Sequence, residues 1–463
     1  MKNFRQIVVR SLSVAAASAA GFSQVHAAGF ALSEQNASGL GNAYAGVAAS
    51  AEDASTIYFN PAGLTALPAG RQVVFALHAI NPSTQFRDGS SLAAAGIKAP
   101  GLANPYTSSG SGGDAGSMAY VPNGYFAMRP DPRWSIGVGI NSPFGLKTQY
   151  DDNWSGRFQG IKSDLKSINV NPTVAYKASD SISLGFGVNY QQVDATLTKA
   201  VNYTAVVGAS SLASAVAIGN VEGRNELKVS DSAWGYNFGA TLQVSDATRL
   251  GIAYRSSIKY RLTGTQTATH PVTGSAGANT IINGNPGTQD QNIAIGVKLP
   301  DTFSFSGVHK LNEKWDLLGD VSWTGWAKIP ELRVQFTVAG AADDVTQMKF
   351  RNTMRTSIGA NYRYSDSIKL RFGAAYDESP VPDEYRTVRL PDSNRTWLTF
   401  GAQYRPNREG TLDAGFAYIM MKDGPINNNG DVAATALGFP RGQVNGSYSS
   451  SIRILSVQYT YLF

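Results

Sequence analysis

Apolar and polar residues alternate along this chain in segments of roughly ten residues, the length of a strand that crosses a bilayer. In 181–190 one face carries Ile182, Leu184, Phe186, Val188 and Tyr190, and the other Ser181, Ser183, Gly185, Gly187 and Asn189. The same phase recurs in Trp234, Tyr236, Phe238, Ala240, Leu242 and Val244, and in Ile368, Leu370, Phe372, Ala374 and Tyr376. Leu455, Val457, Tyr459, Tyr461 and Phe463 end the chain in that register. Short polar turns near Asp131-Pro132, Ser179-Asp180, Ser245-Asp246, Asn312-Glu313, Ser365-Asp366 and Asn407-Arg408 interleave with longer connections near 82–117, 148–164, 197–232, 262–300, 327–350, 377–395 and 420–446. That rhythm predicts about fourteen antiparallel strands closed into a barrel with short turns at one rim and long loops at the other. A soluble sandwich has no need of it. Aromatics fall where membrane interfaces belong: Tyr364, Tyr404 and Trp315 beside short turns, Tyr190, Tyr254, Tyr376, Tyr418 and Trp323 toward the long loops.

Composition agrees with a membrane barrel. The 463 residues include 48 Gly and no Cys, and only 16% are charged. Nothing resembling a linker divides them, so one large domain is expected. The first 27 residues read as a cleaved export signal: Lys2, Arg5 and Arg10 precede the small apolar run 12–22, and Val25-His26-Ala27 offers a small-residue cleavage site. That apolar run is too short to span hydrocarbon as a helix. Without those three cations the 39 basic residues fall to 36, against 33 acidic. No basic run marks a nucleic-acid partner, and no cofactor or metal set stands out. A Ser–His–acid enzyme such as an outer-membrane lipase finds little support. Mature His78, His270 and His309 show no triad spacing, and His309 falls on the lipid face. The chain is therefore not expected to be an enzyme.

Residues 28–70 do not alternate. Gly29-Phe30, Gly39-Leu40-Gly41, Ala43-Tyr44, Asp53-Ala54 and Asn60-Pro61-Ala62 are small, Gly-rich and compact. Short helical pieces are expected around 34–50 and after Pro61, where Pro suits a first turn. This reads as a plug, or hatch, inside a barrel spanning 71–463. An open porin would have no use for it.

Strand 3 carries a break. Its segment ends Ile140-Asn141-Ser142-Pro143-Phe144-Gly145-Leu146. Proline cannot donate to a ladder, so Pro143 followed by Gly145 predicts a bulge or kink in an otherwise closed wall. Pro122 and Pro172 sit on the neighbouring strands.

The hatch residues, with Val121-Pro122-Asn123, Leu299-Pro300 before strand 8, Trp323 and Trp326 at the end of strand 9, 377–382 (DESPVP) and Leu390-Pro391-Asp392, resemble the FadL-type long-chain fatty acid transporters. Monoaromatic hydrocarbon uptake porins are included in that family. The resemblance covers nearly the whole mature chain in order. It implies a fourteen-stranded barrel plugged by an N-terminal hatch, with both barrel ends periplasmic. It implies passive movement of long-chain fatty acids, or alternatively monoaromatic hydrocarbons or other xenobiotics, across the outer membrane. Hatch movement at Phe30, Asn60, Pro61 and Ala62 would release ligand sideways at Asn141, Pro143, Phe144 and Gly145. Lys349, just before strand 10, and Lys199, after strand 5, are the headgroup candidates. The expected partners are hydrophobic small molecules, outer-membrane lipids and lipopolysaccharide, with the protein a monomer.

Overall fold

A computed structural model describes residues 29–91, 110–429 and 441–463. The export signal at 1–27 lies outside them. From Arg71 onward the chain forms a closed barrel of 14 antiparallel strands. They are β1 (Arg71–Asp88), β2 (Ala119–Met128), β3 (Trp134–Asn141, resuming as Gly145–Gln149), β4 (Lys162–Lys177), β5 (Ile182–Asn202), β6 (Glu222–Ser245) and β7 (Thr248–Arg255, then Ile258–Thr269). There follow β8 (Gln291–Leu299, then Thr302–Lys310), β9 (Trp315–Thr324, then Glu331–Phe336) and β10 (Asp344–Gln347, then Thr353–Arg363). The circuit ends with β11 (Ile368–Asp377), β12 (Arg395–Tyr404), β13 (Gly410–Met421, extended by Gly424–Asn429) and β14 (Gln443–Leu462). β14 returns to β1 in register from Gln72↔Leu462 to Asp88↔Gly446. Closure removes the free edges that lipid would leave unsatisfied.

The six short turns fall where the sequence places them. The strands, however, run further into the long connections than alternation suggests: β5 and β6 pair as far as Asn202↔Glu222. Near that rim the outward face turns polar, so the backbone ladder continues after the hydrophobic signal has faded. Four placements need correction. Lys199 lies within β5, not after it; Leu299-Pro300 sits at an interruption inside β8, not before it; Trp326 sits at an interruption inside β9, not at its end; and Lys349 sits at an interruption inside β10, not before it.

Outward residues such as Phe186, Phe238, Phe303, Phe400 and Leu455 are about half exposed. A contiguous apolar exterior of this extent is a lipid-facing surface. The inward face of the short-turn half is small and polar, and residues 29–70 fill it. They form α1 (Ala37–Leu40), α2 (Val47–Ser50), α3 (Thr56–Phe59) and a 3-10 turn, Pro61–Ala66. The Gly side of the alternation is explained by this plug. A Cβ on Gly185 would lie 2.2 Å from Ala62 N, and one on Gly373 would lie 2.2 Å from Asn42 C.

Candidate functional site

Asn60 fixes the hatch. Its extended backbone precedes Pro61, and its Oδ1 accepts from Ala62 N at 3.1 Å, capping the 3-10 turn. Its Nδ2 lies 2.6 Å from Ala48 O, 3.0 Å from Ala240 O and 3.2 Å from Ile252 O. One buried amide thus ties the turn to the hatch and to two wall strands. At the short-turn end, Glu52 takes a bidentate contact from Arg371 at 3.1 and 2.6 Å. Arg371 also meets Asp413 at 3.0 Å. Against the opposing effect of burial, Arg371 and Lys369, the latter at 3.5 Å, hold the Glu52 carboxyl well below the usual carboxylate range. Glu34 is the opposite case. It is buried, neither carboxylate oxygen has a hydrogen-bond partner, and burial pushes its pKa up to about 7.

Strand 3 breaks at 142–144. Asn141 pairs with Asn169 and Gly145 with Lys166, so three residues span what two, Ser167 and Ile168, span on β4. This is a one-residue bulge. The ladder between β2 and β3 runs only from Met128↔Ile136 to Gly124↔Ile140. Ala119–Asn123 pair with β1 alone. Beyond the gap, Gln149 N donates to Ala115 O at 3.0 Å and rejoins the wall. The result is a window, roughly five residues or 17 Å along β2.

The hatch stitches this window shut. Leu32 N donates to Pro143 O at 2.8 Å, and Gly145 N donates to Phe30 O at 2.9 Å. Gln35 Nε2 reaches Ser142 O at 3.0 Å. From the other bank, Asn123 Nδ2 donates to Glu34 O at 2.8 Å and Tyr125 OH to Gln35 O at 2.9 Å. Residues 30–35 therefore occupy the hydrogen-bonding positions that the two strands lack.

Phe30 links window to lumen. Its ring lies 4.8 Å from Trp326 and 5.9 Å from Phe144. Both belong to a buried apolar cluster with Val193, Val229, Tyr260, Ile293, Val334 and Phe350. Trp326 reaches this place because β9 carries extra residues. Ile295↔Val334 and Thr302↔Thr324 bracket ten steps on β9 but only seven on β8, and the surplus folds inward as a single turn at Trp326–Lys328. The connection between β11 and β12 also folds inward, placing Val381 and Leu390 in the cluster. Its Asp392 accepts from Gly29 N at 2.8 Å.

Toward the long-loop rim the lumen holds a narrow apolar chamber lined by Leu197, Leu227, Leu332, Val334 and Phe336, with Lys199, Asp344 and Arg389 at one corner. Lys199 Nζ meets Asp344 Oδ2 at 2.5 Å, and Arg441 meets the same carboxylate at 3.1 Å. Arg389 donates to Lys162 O at 2.9 Å and Thr198 O at 3.1 Å, both neutral acceptors. Burial lowers its pKa to about 10. Lys199 and Arg441 thus share Asp344, while Arg389 stands beside them on neutral acceptors. Lys349 lines no part of this chamber. It is exposed, with φ 46°, between Met348 and Phe350, which pack on the apolar cluster. Sequence reasoning missed Arg389, whose sole signal is its place beside Leu390-Pro391-Asp392. It also missed Asp344, Gln35 and Tyr125, which carry no pattern at all.

His78 Nδ1 lies 2.6 Å from Ser456 Oγ, but the pair is buried and His78 Nε2 has no partner. No third group orients that imidazole, as a nucleophilic triad requires.

The family model described as "Outer membrane protein transport protein (OMPP1/FadL/TodX)" matches residues 18–463. Outer membrane protein P1 of Haemophilus influenzae is 30% identical over 440 residues, covering 91% of each chain. A long-chain fatty acid transport protein of Escherichia coli O6:H1 is 28% identical over 411 residues, covering 86% of this chain and 87% of its own. Among solved structures, a Pseudomonas aeruginosa FadL homologue superposes with a TM-score of 0.82 at 23% identity, over 94% of this chain and 100% of that one. The Ralstonia pickettii toluene transporter TbuX gives 0.63 at 19% identity, over 92% and 98%. With a plugged barrel and a match across nearly its whole length, the chain belongs to the OMPP1/FadL/TodX family of outer-membrane transport proteins.

Proposed function

We propose that this protein moves long-chain fatty acids passively across the outer membrane, as a transporter and not as an enzyme. The observation that carries the substrate choice is Arg389, on neutral acceptors beside the Lys199–Asp344 pair at the end of an apolar chamber. Methylenes gain about 0.8 kcal/mol each on leaving water, whereas an unpaired buried carboxylate would offset several kcal/mol. A cation such as Arg389, held by neutral acceptors at one end of an apolar cavity, answers both demands. A hydrocarbon needs only the cavity. Ligand descends from the chamber onto Phe30, displaces residues 30–35 from β3, and leaves sideways between β2 and β3 into the membrane. The alkyl chain then never crosses water. Transport needs no energy source, because lipid rewards the methylenes as the chamber does. The long loops face outward, both barrel ends are periplasmic, and the barrel works as a monomer among outer-membrane lipids.

The test is palmitate and toluene binding by the purified protein, with Arg389→Met and Lys199→Met. Loss of a charge-assisted contact predicts palmitate binding weaker by about 10- to 100-fold, with toluene unchanged. Equal effects on both, or on neither, would assign the chamber to hydrocarbons.

A further inference from the structure

The outer surface of β7–β9, just beyond the aromatic girdle, carries cations that form no ion pair among the described residues. Lys259 of β7 and Lys298 of β8 are directly opposed in register, and both are exposed on the outward face. Like charges in that position destabilise a strand pair. Among the described residues neither makes an ion pair, and nor does Arg261 two residues further along the same face. The carboxylates nearby are already engaged. Asp301 holds Lys328 at 2.5 Å, while Glu331 and Asp343 share Arg333 at 2.8 and 3.1 Å. Asp231 accepts the backbone N–H groups of Ser232 and Arg261, each at 2.8 Å.

A groove lies alongside. The inward turn at Trp326 pulls β9 away from β8, and pairing resumes only at Ile293–Ile295 against Val334–Phe336. Below those pairs the exterior opens into a groove whose charged lining is Lys298, Lys328, Glu331 and Arg333. Its height is set by the girdle, since Lys328 Nζ lies 5.6 Å from the Trp323 ring. Aromatic rings mark the level where acyl chains end and headgroups begin. Just inside that level the same face offers Phe303 and Phe305, both outward and exposed.

We propose that this face binds one molecule of a phosphorylated saccharolipid of the outer leaflet, the chemistry of lipopolysaccharide. Its acyl chains lie along the outward stripe, and its phosphates lie over Lys259, Lys298 and Arg261. Guanidinium groups match phosphate geometry, and an anion between the two lysines turns a repulsive pair into a bridged one. The proposal rests on the reading that the long-loop rim faces outward.

Full-length protein in mild detergent would be titrated with lipopolysaccharide, with its dephosphorylated form and with phosphatidylglycerol, read by native mass spectrometry and thermal unfolding. The wild type is expected to retain lipopolysaccharide and melt higher with it, and to bind the other two at least tenfold more weakly. Lys259→Gln/Lys298→Gln should melt no lower than wild type without lipid and lose at least tenfold in lipopolysaccharide affinity. Equal affinity of variant and wild type, or equal binding of the dephosphorylated form, overturns the site. Phosphatidylglycerol bound as tightly assigns the face to phospholipid and overturns the saccharolipid. Two readouts keep this separate from the transport reading. Palmitate binding by the double variant should be unchanged, and Val272→Cys, 92% exposed in a long loop, should label from outside intact cells. Failure of that labelling would sink the orientation rather than the charge argument.

Discussion

If residues 30–35 close the window in β3, then fastening them to β3 must stop transport. Ala31 and Phe144 are partners in an isolated antiparallel bridge. The flanking bonds, Leu32 N to Pro143 O and Gly145 N to Phe30 O, make them a non-hydrogen-bonded pair. Their Cα atoms should stand about 4.5 Å apart, within the span a disulfide tolerates. The chain has no Cys of its own, so Ala31→Cys/Phe144→Cys adds the only two. In the unmodified protein, release breaks the two backbone bonds and those of Gln35, Asn123 and Tyr125. At about 1 kcal/mol net per bond this costs about 5 kcal/mol. Uncovering Phe30 adds about 2 kcal/mol, giving about 7 kcal/mol in all. Unaided opening then occurs in roughly 1 molecule in 10⁵. A ligand that takes over the contacts of Phe30 and buries about nine methylenes can meet that cost at about 0.8 kcal/mol each. Uptake of labelled palmitate by cells carrying the double variant should collapse under oxidant and return with dithiothreitol, while either single variant responds to neither. Full uptake by the oxidised, quantitatively cross-linked protein would refute the sideways exit.

Further outcomes follow from the hatch. Because burial raises Glu34 to about 7 from its ordinary 4.5, the docked hatch favours the neutral acid. Docking is strongest below that lower value, weakens as pH rises through 7, and loses up to about 3 kcal/mol. Glu34→Gln should abolish the dependence, seen as equal hydrogen-exchange protection of residues 30–40 at pH 5 and pH 8. Asn60→Ala removes the amide that joins Ala48 to the ladder carbonyls of Ala240 and Ile252 and should cost about 2 kcal/mol, read as a lower Tm with the barrel still folded. Gly185→Ala places a Cβ 2.4 Å from Pro61 C and should cost about 1–3 kcal/mol through a displaced hatch, detected as raised single-channel conductance in planar bilayers. Unchanged conductance would mean that the plug shifts without opening.

The barrel was legible because lipid imposes a period of two on every strand, and because turn lengths differ between the rims. The plug was legible through its small residues, which close approach to Gly185, Gly239 and Gly373 requires. Strand ends were not, since facing lipid headgroups removes the apolar half of the alternation while the ladder persists. Interruptions hid more. In β7 the inward residues shift from Gly251 and Ala253 to Ile258 and Tyr260 across two unpaired positions, so the pattern slips by one and reads as an end. The chamber corner was nearly invisible. Lys199, Asp344, Arg389 and Arg441 come from widely separated segments, and nothing local marks any of them as inward except the phase of Lys199 on β5.

The bulge at Ser142–Phe144 also governs parity. Before it the odd-numbered residues Ser135 and Asn141 point inward, and after it the even-numbered Leu146 and Thr148 do. Removing a single residue from that interruption would leave two residues opposite Ser167 and Ile168, so plain alternation would carry Leu146 and Thr148 inward without a kink. The break in the wall therefore depends on one surplus residue, and a deletion there would straighten the strand whatever the identity of the residue lost.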